Sequence, residues 1–188
     1  MASNAWKDLE RKVAKFFNTT RRKRGDDFSQ KDVEIAADIE EWLGEKNKIF
    51  SGVIIAECKY RSNSLGIVDD YTKLREKNKI SIGIIGEDVL MVSLEDFKEL
   101  FIELASTQAI HYSKLPKYHL FQLKESVPKY VDEYINQARK YNEVLPKQNS
   151  FCDVRTSRYL PILCAAKRGR KGIYAVFRIE DFQSFFKA

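Results

Sequence analysis

The sequence predicts an α/β fold, a mixed central sheet with helices on both faces. Apolar runs of strand length recur along the chain: Val53–Ala56, Ile80–Ile85, Val89–Leu94, Leu160–Ala166 and Ile173–Ile179. Stretches with apolar residues at helical spacing separate them. The chain has 188 residues, is 44% apolar and holds no low-complexity segment, so one domain carrying an insertion can fill a core.

Residues 5–17 read as a helix, with Trp6, Leu9, Val13, Phe16 and Phe17 on one stripe and Ser3 or Asn4 as a cap. Glu10 falls on the edge of that stripe, so its carboxylate is expected to face the body of the protein. A polar, basic loop follows over 18–28. The next segment carries two patterns. Asp32-Val33-Glu34-Ile35-Ala36 alternates like a short strand, whereas Ser29-x-x-Asp32 followed by Ile35, Ile39, Trp42, Leu43 and Gly44 has helical start, spacing and stop. Periodicity alone favours the helix. Residues 50–60 form a buried strand, 62–69 a loop and 70–79 a charged helix. Strands 80–85 and 89–94 meet at Gly86-Glu87-Asp88, and 95–105 is a helix with Phe97, Leu100, Phe101 and Leu104 on one face. A strand at 118–123 precedes a helix opened by Pro128, with face Val131, Tyr134, Ile135, Ala138 and Tyr141. Strands 160–166 and 173–179 flank a basic turn, and 180–187 is a closing helix. Asp88–Phe97 and Ile173–Phe182 share one local grammar, a strand running into a helix start.

The formal charge is +6, and its distribution is uneven. From Arg11 to Arg24 there are seven basic residues and no acid: Arg11, Lys12, Lys15, Arg21, Arg22, Lys23 and Arg24. Lys167-Arg168-Gly169-Arg170-Lys171 is a second cluster. Such clusters neutralise phosphates, although a solvated turn explains the second equally well. Three cysteines without metal-type spacing (Cys58, Cys152, Cys164) read as small hydrophobes. The two histidines lie far from the acids considered below, which disfavours zinc. No segment approaches a membrane span and the start lacks a signal-peptide layout, so a cytoplasmic, intracellular protein is expected.

Chemistry concentrates at Glu57-Cys58-Lys59, which closes the apolar run Val53–Ala56. Alternation puts Glu57 and Lys59 on one face of the strand and Cys58 on the other. A buried carboxylate and ammonium are costly unless they pair or do work. With Glu10 and Asp32 they would make a divalent-metal site for phosphodiester cleavage. Asp32 and Glu57 would bind the ion, and the Cys58 carbonyl could add a backbone ligand. Glu10 could enter from the helix as a ligand to a second metal or through water. Lys59 would orient the attacking water or stabilise charge on phosphate. By itself Glu-x-Lys is common, and a strand-end salt bridge is its bland explanation.

The order of these residues resembles the PD-(D/E)xK nuclease superfamily, in its archaeal Holliday-junction-resolvase-like branch. Trp6–Phe17, with its Glu10-Arg11 pair, looks like the family's opening helix. Asp32-Val33 looks like the second motif and Ala56–Arg61 like the Glu-Cys-Lys third motif with its trailing basic residue. The segment 128–182 resembles the closing helix–strand–strand–helix. The resemblance covers the first and last thirds of the chain, a core of about 1–61 and 127–188. It leaves 62–126 as an α/β insertion, and Lys31 stands where the family has proline. It implies a restriction-endonuclease-like sheet and Asp32 at the head of a strand, against the helical periodicity. If 30–43 is helical, Asp26 or Asp27 replaces Asp32. It further implies a Mg²⁺-dependent endonuclease, with Mn²⁺ able to substitute, acting on branched DNA as a homodimer. Arg11, Arg21, Arg22, Arg24, Arg61, Lys167, Arg168 and Arg170 are the expected phosphate contacts. A restriction or repair nuclease on duplex or flapped DNA shares the same core. A non-catalytic DNA-binding protein is the rival from another class, and a structural α/β domain with a basic surface is the blandest.

Overall fold

The computed structural model describes residues 5–19, 35–38, 53–61, 66–107, 117–144, 159–169 and 171–186, with the backbone alone at 35–38, 53, 61, 105–107 and 141–144. Among the described residues seven strands form one sheet: β1 (Ile35–Asp38), β2 (Val53–Arg61), β3 (Ile80–Ile85), β4 (Val89–Ser93), β5 (Tyr118–Lys124), β6 (Tyr159–Lys167) and β7 (Tyr174–Arg178). Their order is β1-β2-β6-β7-β4-β3-β5. The β2–β6 and β3–β5 pairs are parallel and the rest antiparallel, so the sheet is mixed. The helices are α1 (Ala5–Phe16), α2 (Gly66–Leu74), α3 (Leu94–Thr107), α4 (Lys129–Val144) and α5 (Ile179–Phe186).

Alternation sorts the strand residues onto two cores. Leu9 and Val13 of α1, Phe97 and Phe101 of α3, and Phe182 and Phe185 of α5 pack on the face carrying Ile54, Ala56, Ile162, Cys164, Ala175 and Phe177. Ile67, Val68 and Tyr71 of α2, with Val131 and Ile135 of α4, cover the other face over Met91, Leu163, Ala165 and Val176. Because β6 is covered on both sides, it reads as an unbroken apolar run. The segment 62–126 supplies β3, β4 and β5, which extend the same sheet beyond β7.

The repeated grammar has a structural counterpart. β4 and β7 are antiparallel neighbours, and each runs directly into a helix. Leu94 N–H donates to the Ile173 carbonyl (2.9 Å) and Ile179 N–H to the Asp88 carbonyl (2.7 Å). These reciprocal bonds satisfy a backbone donor at the start of each helix. Phe97 and Phe182, the equivalent residues, meet with ring centroids 6.0 Å apart.

Residues 35–38 are strand, as the resemblance implied against the helical periodicity, and they pair with β2 from Ile35–Ala56 to Asp38–Val53. Two expectations are corrected. The helix expected at 70–79 instead starts at Gly66 and stops at Leu74. Ile67, Val68 and Tyr71 give it a face to bury, while Arg75–Lys79 has none. Trp6, expected in the stripe of α1, is 37% exposed, and Leu9, Glu10, Val13 and Ala14 form the buried face instead.

Gly86, in the β3–β4 turn, has φ of +63°, and a Cβ there would lie 2.9 Å from Val127 Cγ2. Gly86→Ala should therefore cost about 1–3 kcal/mol, from backbone strain plus this clash. Gly169, at φ +80° with open space around it, should cost less when changed to alanine. Urea midpoints of the two variants check the ranking.

The pairing directions bring particular segments to one edge of the sheet. β2, β6 and β4 end there, at Arg61, Lys167 and Ser93, and β7, β3 and β5 begin there, at Tyr174, Ile80 and Tyr118. The N-terminal residue of β1, Ile35, pairs with Ala56 on that half of β2. Among the described residues no helix is long and apolar enough to cross a membrane.

Candidate functional site

Glu57 and Lys59 lie on the face covered by α4, since their β6 partners are Leu163 and Ala165. The Glu57 side chain is 1% exposed and that of Lys59 14%, and Lys59 Nζ stands 2.9 Å from Glu57 Oε1. The ammonium also sits 4.7 Å from the ring centroid of Tyr134 on α4. That contact adds a cation–π attraction in a poorly hydrated place. Tyr134 adjoins Tyr130 (centroids 6.2 Å apart), which lies beside the backbone of Ile67 in α2. Burial pushes the Tyr130 hydroxyl up, so it remains a neutral wall of this corner.

Cys58 points the other way, beside Cys164, its partner on β6. The hydrogen bond to Cys164 is the largest cause raising the Cys58 thiol, followed by burial and by the Cys164, Glu10 and Glu57 charges. It is therefore held as a protonated thiol, not a thiolate ligand. Its backbone carbonyl lies in β2 beside β6.

Glu10 is 3% exposed, as the edge of a helical stripe requires. Its helix, however, covers the face opposite the one that carries Glu57 and Lys59. α1 packs on the face of Ile54, Ala56 and Cys58, and α4 on the opposite one. The helix that carries Glu10 thus packs on the Cys58 side of β2, and the Glu10 charge helps raise the Cys58 thiol. No group of three or more His, Cys, Asp or Glu able to hold a metal is assembled among the described residues. Asp32 lies outside them, as do Asp26, Asp27, Arg21, Arg22, Arg24 and Arg170. Ile35, three residues after Asp32 in the chain, pairs with Ala56, next to Glu57.

The remaining expected phosphate contacts are dispersed. Arg11 is exposed and paired with Asp8 at 2.8 Å. The backbone of Arg61 ends β2 opposite Lys167. Lys167 is half-buried and ion-paired with Asp69 of α2, so its ammonium is already committed within the fold. Arg168 is exposed in the β6–β7 turn.

One neighbour of the pair was not legible as a site residue. Tyr134 reads in the sequence as one more apolar position on α4, because nothing local announces the lysine beneath it. Compared with protein-family models, with curated proteins and with solved structures, the chain finds no match.

Proposed function

We propose that this chain is a divalent-metal-dependent DNA endonuclease. The observation that supports it best is the buried Glu57–Lys59 pair on one face of β2, the strand beside β1. Glu57 and Asp32 would supply the oxygen donors that Mg²⁺ prefers. When bound, such an ion supplies Lewis acidity and an acidified water. Lys59, 2.9 Å from Glu57, would stabilise charge developing on the scissile phosphate, and Tyr134 would hold the ammonium in place. Glu10, buried on α1 at the Cys58 side of β2, would join this set only as a second-metal or water-mediated ligand.

Branched DNA as substrate and a homodimer, with two sites for two symmetric cuts, are the form of this proposal that the sequence resemblance favours. One observation favours a second reading, a nucleic-acid-binding protein without catalysis. Glu57 and Lys59 pair with each other, as a purely structural salt bridge would. The experiment is cleavage of a four-way junction, a flap, a linear duplex and a single strand, each with Mg²⁺ and with EDTA. Metal-dependent cutting supports the nuclease, and its preferred substrate selects the class. Tight binding without cutting supports the second reading.

The basic run of the sequence carries its own prediction. Arg22→Ala with Arg24→Ala should flatten the dependence of log K on log salt by about 1.8 for duplex DNA, two phosphate contacts being lost. An unchanged slope in a salt titration would remove that loop from the interface.

A further inference from the structure

The β4–α3 junction, the α2–β3 segment and the β6–β7 turn enclose a cleft of about 840 Å³. It opens on the sheet edge toward which β2 carries Glu57 and Lys59. Five cations line it: Lys12 of α1, Arg75, Lys77 and Lys79 ahead of β3, and Lys171 ahead of β7. All five are exposed. Lys12, Arg75, Lys77 and Lys171 are held in no ion pair among the described residues. Three acids share the lining, and each is accounted for. Glu76 lies 3.5 Å from Lys79 and 3.6 Å from His119. Glu95 and Asp96 occupy the first turn of α3, where the helix N-terminus offsets negative charge and Ser93 caps the Asp96 N–H. Deeper in the cleft are the neighbouring hydroxyls of Thr72 and Tyr174, 3.4 Å apart.

A concave site with cations arriving from three separate segments suits a flexible polyanion. Its volume falls within the range of sites that enclose ligands, roughly 300–1,000 Å³. Unpaired nucleotides can enter such a recess, whereas a rigid duplex would meet only its rim. From β2 to β3 the sheet order spans four strand spacings, about 19 Å. That reach fits the short end of the roughly 4–16 nucleotides covered by single-strand sites.

We infer that this cleft binds a single-stranded nucleic-acid segment by its phosphates, and that the 62–126 segment gives the protein substrates carrying an unpaired strand. The inference rests on the nucleic-acid reading above but not on cleavage. Arg75, Lys77 and Lys79 come from the segment that the family resemblance leaves unexplained, so the cleft gives that segment a purpose. Phosphate contacts of this kind position a strand without reading its sequence.

The test is fluorescence anisotropy with a labelled eight-nucleotide single strand, a duplex of equal length and a flap joining the two. The full chain is compared with Lys77→Gln/Lys79→Gln/Lys171→Gln, with thermal melts verifying that both are folded. The triple variant should bind the single strand and the flap at least about tenfold more weakly. Its salt slope on the single strand should fall by about 2, three contacts at roughly 0.7 each. Duplex binding should change little. Equal losses on duplex and single strand would overturn strand selectivity in favour of a general basic surface. An unchanged slope in a wild type that binds DNA would overturn the cleft while leaving the nucleic-acid reading intact. A wild type that binds none of the three would overturn both.

Discussion

Glu57→Gln should remove metal-dependent cleavage while leaving DNA binding in place. The expected loss in kcat/KM is at least about 10²-fold, the scale seen when one charged or hydrogen-bonding group leaves a preorganised site. The amide keeps the shape of the carboxylate but not its charge, so the metal donor is weakened without opening a cavity. The same change leaves the Lys59 ammonium, 14% exposed, without its counter-charge. Removing one partner of a fully buried pair costs about 3–5 kcal/mol, and the partial exposure of Lys59 and its contact with Tyr134 should hold the cost below that range. A second variant separates function from stability. Glu57→Leu with Lys59→Met replaces the pair by apolar side chains, an exchange that is often neutral or stabilising by roughly 1–4 kcal/mol. Urea denaturation should find this double variant at least as stable as wild type, and the cleavage assay should find it inactive. A stable double variant that still cuts DNA would mean that the pair is not the catalytic site. A strongly destabilised one would mean that the pair is structural.

Phe97→Ala should produce the largest loss of stability in the chain, about 3–5 kcal/mol. Phe97 is fully buried where the two strand–helix units meet. Its ring lies 5.3 Å from that of Phe177 in β7, 6.0 Å from Phe182 in α5 and 6.0 Å from Phe101 in its own helix. For a chain of this size the loss corresponds to a fall in Tm of about 6–20 °C. It comes from the segment 62–126 but removes contacts to α5 and β7, outside that segment. Tryptophan fluorescence and far-UV CD should therefore report one shared transition, moved as a whole. Two separated transitions would show that 62–126 folds on its own.

The catalytic proposal and the stability argument draw on different levels of information. The facing of Glu57, Cys58 and Lys59 was legible because strand alternation is a property of consecutive residues. The same holds for β3, for the stripe of α4 and for the burial of Glu10, each fixed by spacing within a few residues. The fork at 35–38 was not legible from periodicity, and only the order of the motifs pointed to the strand. Its helical periodicity is real, but the segment pairs with the edge of β2, some twenty residues away in sequence, and strand preference depends on such partners. The start of α2 was missed for a related reason. Its charged continuation looked helical, yet only Ile67, Val68 and Tyr71 had a core to enter.

Locally, the chain determined its α/β class, the order of most of its strands and helices, the orientation of the Glu57–Lys59 pair and the clustering of its cations. All of these follow from neighbouring residues and from the geometry of a single helix or strand. Tertiary structure alone decided that α1, the helix of Glu10, covers the face opposite Glu57, that Tyr134 covers Lys59 and that Lys167 is held by Asp69. It also decided that Lys12, Arg75–Lys79 and Lys171 line one cleft. The physical reason is that parallel or antiparallel pairing sets which strand ends share an edge and which helix covers which face. That pairing is chosen by burial and hydrogen bonding between segments tens of residues apart, which no local pattern records.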